Sequence, residues 1–115
     1  ETECYSTAND IAKMVRQALK YDVLWGVMRV EKTMIFSADG KYQHEIFNTD
    51  RLLGQMQNLI GTKTGFTPLA GYSLLAVAKH PDSEHRIIAV VLDDVSRWQS
   101  VQSMFEWSFQ SFDWQ

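Results

Sequence analysis

With 115 residues, 45% of them apolar and 22% charged, the chain is long enough for one folded domain with a modest core. A net charge of -3 leaves no basic footprint and argues against nucleic acid as a partner, and the lone cysteine, Cys4, excludes an internal disulfide. Nowhere does the run of roughly 18 apolar residues that a membrane helix needs occur, and the first residues do not read as a signal peptide.

Glu1-Thr2-Glu3 reads as the middle of a longer protein rather than a natural start. Ser6-Thr7-Ala8-Asn9-Asp10 then signals a helix start, with Thr7 as N-cap and Asp10 three residues on, close to a capping box. Ile11, Met14, Val15, Ala18 and Leu19 recur at helical spacing, which predicts an amphipathic helix over residues 8 to about 20. Its apolar stripe is most simply a packing face. Residues 23 to 31 carry Val23, Leu24, Trp25, Val27 and Met28 broken by Gly26, and they fit neither period.

Residues 32 to 48 read as a hairpin. Met34, Ile35 and Phe36 lead into Ser37-Ala38-Asp39-Gly40, and Tyr42 to Phe47 return, with Asp-Gly as the tight-turn signal. His44 on the return strand is a candidate acid or base, but a solvated strand histidine is the simpler reading. Asn48-Thr49-Asp50-Arg51-Leu52-Leu53 is a polar turn into a short helical or irregular link.

Gly61-Thr62-Lys63-Thr64-Gly65-Phe66-Thr67 is an unusual strand. Gly61 and Gly65 remove bulk, so another backbone or a ligand can come close. Lys63 offers a cation, and Thr62, Thr64 and Thr67 offer hydroxyls, a set suited to a carboxylate or a developing oxyanion. Alternation along a strand sends Lys63 and Thr64 to opposite faces, so both can serve one ligand only where the strand edge borders a cleft.

Tyr72 to Lys79 and Arg86 to Asp93 are almost continuously apolar, which predicts strands covered on both faces. The polar turn His80-Pro81-Asp82-Ser83-Glu84-His85 makes them an antiparallel pair; its two histidines and two acids lack fixed ligand spacing, so a mobile surface loop is preferred to a metal site. A closing helix follows, with Ser96 as cap and Gln99 at the capping-box position. Trp98, Val101, Phe105, Phe109 and Phe112 mark the face that packs on the sheet.

Lys63-Thr64-Gly65, an aromatic, Thr67, then Ala70-Gly71-Tyr72 leading into an apolar strand resembles the third motif of serine D-alanyl-D-alanine carboxypeptidases, the low-molecular-mass penicillin-binding proteins. Ser6 to Ala12 resembles the helix start after that family's second motif, Asn48-Thr49-Asp50-Arg51-Leu52-Leu53 its Asn-Thr-Asn segment, and the last strand and helix those of its catalytic domain. The chain departs from the pattern at Ile60, usually Asp, at Thr62, usually apolar, and at Ser73, often Cys. The family's nucleophile motif Ser-x-x-Lys and its second motif Ser-x-Asn occur nowhere in the sequence.

The resemblance implies an α/β fold, α+β in type: an antiparallel sheet flanked by helices, the C-terminal portion of a penicillin-binding catalytic domain. It implies acyl transfer on peptidoglycan stem peptides ending in D-Ala-D-Ala, and reaction with β-lactams, only together with the N-terminal half. Lys63 would lower the potential energy of the substrate's terminal carboxylate and hold the second motif's proton network. Thr64 would hydrogen-bond that carboxylate, Phe66 would lend its backbone N–H to the oxyanion hole, and Gly65 and Thr67 complete the substrate-binding set. No cofactor or metal is expected, and an extracytoplasmic place is. In the family the strand 86–93 sits beside a strand of the N-terminal half that is not encoded here. In the isolated chain this strand, apolar and without proline or inward charge, is therefore expected to join two copies into a homodimer. The alternative is a non-catalytic interaction module that keeps the fold and binds a partner through a sheet edge.

Overall fold

A computed structural model describes residues 4–114. Helix α1 spans Ala8–Ala18, and Thr7 caps it as expected, its hydroxyl oxygen accepting the Asp10 amide at 3.1 Å. The ambiguous stretch is a second helix, α2, Asp22–Met28. Seven residues with a central glycine carry too little period to be read from sequence. What holds α2 is tertiary: Trp25 is buried, and its Nε1 donates to the Ala18 carbonyl at 2.9 Å.

Strands β1, Lys32–Phe36, and β2, Gln43–Phe47, form the predicted hairpin. Gly40 closes its turn at φ 70°, donating to the Ser37 carbonyl at 2.9 Å. The hairpin is a sheet of its own, and all ten strand residues are exposed, His44 included. The main sheet has the order β3-β4-β5, with β3 Leu59–Thr67, β4 Gly71–Lys79 and β5 Arg86–Val91, all antiparallel. The last strand is shorter than the expected 86–93: Asp93 takes a positive φ of 51° and turns the chain, and the Asp94 amide donates to the Tyr72 carbonyl.

Both faces of this sheet are covered, which is why β4 and β5 do not alternate. On one face Val77 packs with Val15 of α1 and Trp25 of α2, joined by Leu75 and Ile88. On the other, Leu74, Ala76, Ala78 and Ala89 meet Leu52, Leu59 and the closing helix α3, Arg97–Ser111, through Val101 and Phe105. Small residues on β4 and β5 let α3 lie close, and Val101 and Phe105 become fully buried. Phe112, expected on the packing stripe, lies past the helix end and is exposed.

Two expectations are corrected. Ser96 occupies the N-cap position of α3, but its side chain makes no capping bond. The turn is organised by Asp94 instead, whose Oδ1 accepts the Ser96 amide at 2.8 Å. The histidine turn between β4 and β5 is partly built into the fold: His80 Nδ1 accepts the Asp82 amide at 3.1 Å, and the rings of His80 and His85 pack near Trp114. Glu1-Thr2-Glu3 lies outside the described residues.

Candidate functional site

Strand β3 is an outer strand of the main sheet, so one of its edges borders no other described strand. Alternation places its side chains as the sequence predicts. Lys63 is opposite Leu75, on the face of α1 and α2, and Thr64 is opposite Leu74, on the face of α3. The lysine is long enough to cross that division. Its Nζ turns back and donates to the Thr64 carbonyl at 2.5 Å, which brings the ammonium to the strand edge. On the sheet face below α1, a hollow of about 150 Å³ is lined by Lys63, Gly65, Ser73, Leu75 and Val90 together with Ile11.

The two glycines have different roles. A Cβ on Gly65 would meet only Ser73 Cβ, at 3.7 Å, an ordinary contact, so the space over Gly65 is open to a ligand. At Gly61 a Cβ would lie 2.9 Å from Cε3 of Trp25. The group that comes close to Gly61 is therefore an indole of the core, not the backbone or ligand that the sequence suggested.

The hydroxyls also divide. Thr64 Oγ1 is exposed and lies 3.1 Å from Thr49 Oγ1. Thr67 Oγ1 accepts the Ala70 amide at 3.0 Å and shapes the β3–β4 turn. Thr62, read as one of the site hydroxyls, is buried, 4% exposed, and donates to Asp50 Oδ2 at 2.5 Å. Asp50 Oδ1 in turn accepts the Leu52 amide, and Asn48 Oδ1 accepts the Asp50 amide. Asn48 Nδ2 donates to the Met28 and Val30 carbonyls, so the 48–50 link ties the end of α2 to β3. The polar residue at 62 is thus matched by the acid at 50.

Beyond Thr64, Phe66 is 56% exposed and stacks on Tyr72 with centroids 4.4 Å apart. Arg97 reaches back from the start of α3 and donates from Nη1 to the carbonyls of Gly65, at 2.9 Å, and Ser73, at 3.0 Å. Its guanidinium lies 5.0 Å from the Tyr72 ring centroid and 4.9 Å from that of Trp98. Past the turn a groove of about 800 Å³ runs between Thr67, Pro68 and Leu69 on one side and Tyr5 and Ser6 on the other.

Sequence reasoning placed Lys63, Thr64, Gly65, Phe66 and Thr67 on one strand. It missed Thr49, Asp50 and Arg97, which lie 15, 12 and 32 residues from their partners. Arg97 did carry a local signal: a cation at the first position of a helix opposes the helix dipole, so another interaction must hold it there.

A cation, a hydroxyl and open backbone at a sheet edge suit recognition of a carboxylate beside a reacting carbonyl. The family model described as D-alanyl-D-alanine carboxypeptidase matches residues 1–96. The D-alanyl-D-alanine carboxypeptidase DacF of Bacillus subtilis is 32% identical over 113 residues, covering 95% of this chain and 28% of its own length. A crystal structure of a D-alanyl-D-alanine carboxypeptidase from Mycobacterium tuberculosis superposes with a TM-score of 0.81 at 25% identity, over 96% of this chain and 42% of that one. Penicillin-binding protein D2 from Listeria monocytogenes, solved with cefotaxime bound, gives a TM-score of 0.63 at 26% identity, over 79% of this chain and 35% of that one. The chain therefore spans well under half the length of these relatives.

Proposed function

Because the chain belongs to the D-alanyl-D-alanine carboxypeptidase family, we propose that it supplies the carboxylate-binding and oxyanion side of a serine peptidase cleft. The substrate is a peptidoglycan stem peptide ending in D-Ala-D-Ala, and the working place is outside the cytoplasm. The observation that carries this reading is the open edge of β3, where the Lys63 ammonium reaches the Thr64 carbonyl beside an unobstructed Gly65.

In this reading the serine of a Ser-x-x-Lys motif attacks the carbonyl of the penultimate D-alanine. The C–N bond breaks, the terminal D-alanine leaves with a proton on its nitrogen, and water then hydrolyses the acyl-enzyme. The sequence holds no Ser-x-x-Lys, so the nucleophile comes from a portion of the protein outside this chain. Lys63 and the Thr64 hydroxyl take the terminal carboxylate. The Phe66 N–H takes charge on the carbonyl oxygen, and one such donor contributes about 3 kcal/mol. Gly65 leaves room for the peptide backbone, and Thr67 sets the turn that ends the cleft wall. β-Lactams acylate the same serine, a reading supported by the cefotaxime-bound relative. We also propose that in the isolated chain two copies pair through β5, at the edge of the sheet opposite the site.

Fluorescent penicillin tests this function. The full-length protein carrying this chain is expected to take one covalent label per molecule, and the 115-residue chain none. Stoichiometric labelling of the isolated chain, or none of the full-length protein, would refute it.

A further inference from the structure

We infer that Arg97 is a positioning residue for the oxyanion donor: it holds the Gly65–Phe66 peptide so that the Phe66 N–H faces the free edge of β3. This deepens the function proposed above and rests on Phe66 serving as that donor.

The argument begins with a cation in an unfavourable place. Arg97 opens α3, where unsatisfied N–H groups make the helix end partly positive. Its side chain leaves the helix and crosses to the sheet, where Nη1 bonds to the Gly65 and Ser73 carbonyls at 2.9 and 3.0 Å. Gly65 and Ser73 are register partners, so one nitrogen spans the ladder between β3 and β4. Two rings hold the guanidinium in place, Tyr72 and Trp98, and Tyr72 is itself stacked on Phe66. A half-buried cation fixed by two carbonyls and two rings has little freedom left.

The consequence follows from the peptide bond. No cis peptide occurs among the described residues, so the Gly65 C=O and the Phe66 N–H lie on opposite sides of one rigid plane. The Gly65 carbonyl faces its register partner Ser73 on β4, and Arg97 adds a charged bond there, so the Phe66 N–H is turned the other way, toward the outside of β3. The ladder to β4 holds that plane from one side only, and Gly65 has no side chain to add a second restraint, so the bond from Arg97 supplies it. A charge-assisted bond to the carbonyl also polarises the amide, which makes its N–H a better donor. Arg97 thus acts on the reaction through Phe66 without contact with the substrate.

Two variants and two readouts test this. In the full-length protein, Arg97→Met should lower the rate constant of penicillin acylation about tenfold, less than outright loss of a donor, and leave the preceding non-covalent affinity unchanged. Arg97→Lys keeps a charged donor and should recover most of the rate. In the 115-residue chain, Arg97→Met should move the Phe66 amide proton upfield in ¹H–¹⁵N spectra, more than the amides of Lys63 and Thr67. An unmoved Phe66 amide overturns the inference, as does an unchanged acylation rate constant. If the wild-type protein takes no penicillin at all, the proposed function falls, and the Phe66 shift alone decides the positioning claim.

Discussion

The Thr62 hydroxyl donates to Asp50 Oδ2 at 2.5 Å inside the core, with both residues buried. The link before the motif strand is thereby tied to the strand itself. Asp50→Ala would orphan that hydroxyl and the Leu52 amide together, at a cost of about 2–3 kcal/mol. Urea unfolding measures it. Asp50→Ala combined with Thr62→Val should recover part of the loss, because the orphaned hydroxyl is then gone. A full additive loss in the double variant would contradict the pairing.

Gly61 and Trp25 form the second close pair. Trp25 is anchored by its bond to Ala18 and is buried, so it cannot yield to a new methyl 2.9 Å away. Gly61→Ala should destabilise the chain by about 1–3 kcal/mol and shift the Trp25 fluorescence. An unchanged denaturation midpoint would mean that α2 moves aside freely.

The Lys63 ammonium sits on the exposed strand edge, so in the proposed function it serves chemistry more than packing. In the full-length protein, Lys63→Ala should reduce penicillin acylation by about tenfold or more, with little change in melting temperature. A lowered melting temperature with normal acylation per folded molecule would refute the assignment.

The hairpin turn offers a titration. The Ser37 hydroxyl and then the Lys41 amide stabilise the Asp39 carboxylate and hold its pKa below the ordinary aspartate value. A depressed folded pKa means that the contribution is present above the unfolded pKa and is lost as pH falls through the folded one. Ser37→Ala should raise the Asp39 midpoint measured by carboxyl NMR. A midpoint that stays put would show that the hydroxyl bond does not persist in solution.

The edge of β5 gives the last prediction. Ile88, Ala89, Val90 and Val91 form an apolar outer strand with α1 on one face of the sheet and α3 on the other. Its backbone edge can pair with a second copy. Light scattering should find a dimer at high micromolar concentration, and Val90→Lys should return it to monomer. A clean monomer for the wild-type chain removes the proposal.

Much was legible from local pattern. Thr7 and Asp10 announced α1, Asp39-Gly40 the hairpin, the unbroken apolar runs two doubly covered strands, and Lys63-Thr64-Gly65 the family and the strand that carries it. Each of these signals lies within a few residues, where backbone preference and hydrophobic period act directly. The tertiary structure alone decided the rest. Helix α2 depends on Trp25 filling the space over Gly61, and Thr62 was assigned to the core by an acid twelve residues earlier. Arg97 meets Gly65 only because α3 lies across the sheet. Such pairs form between residues far apart in the chain, so no local window of sequence contains them.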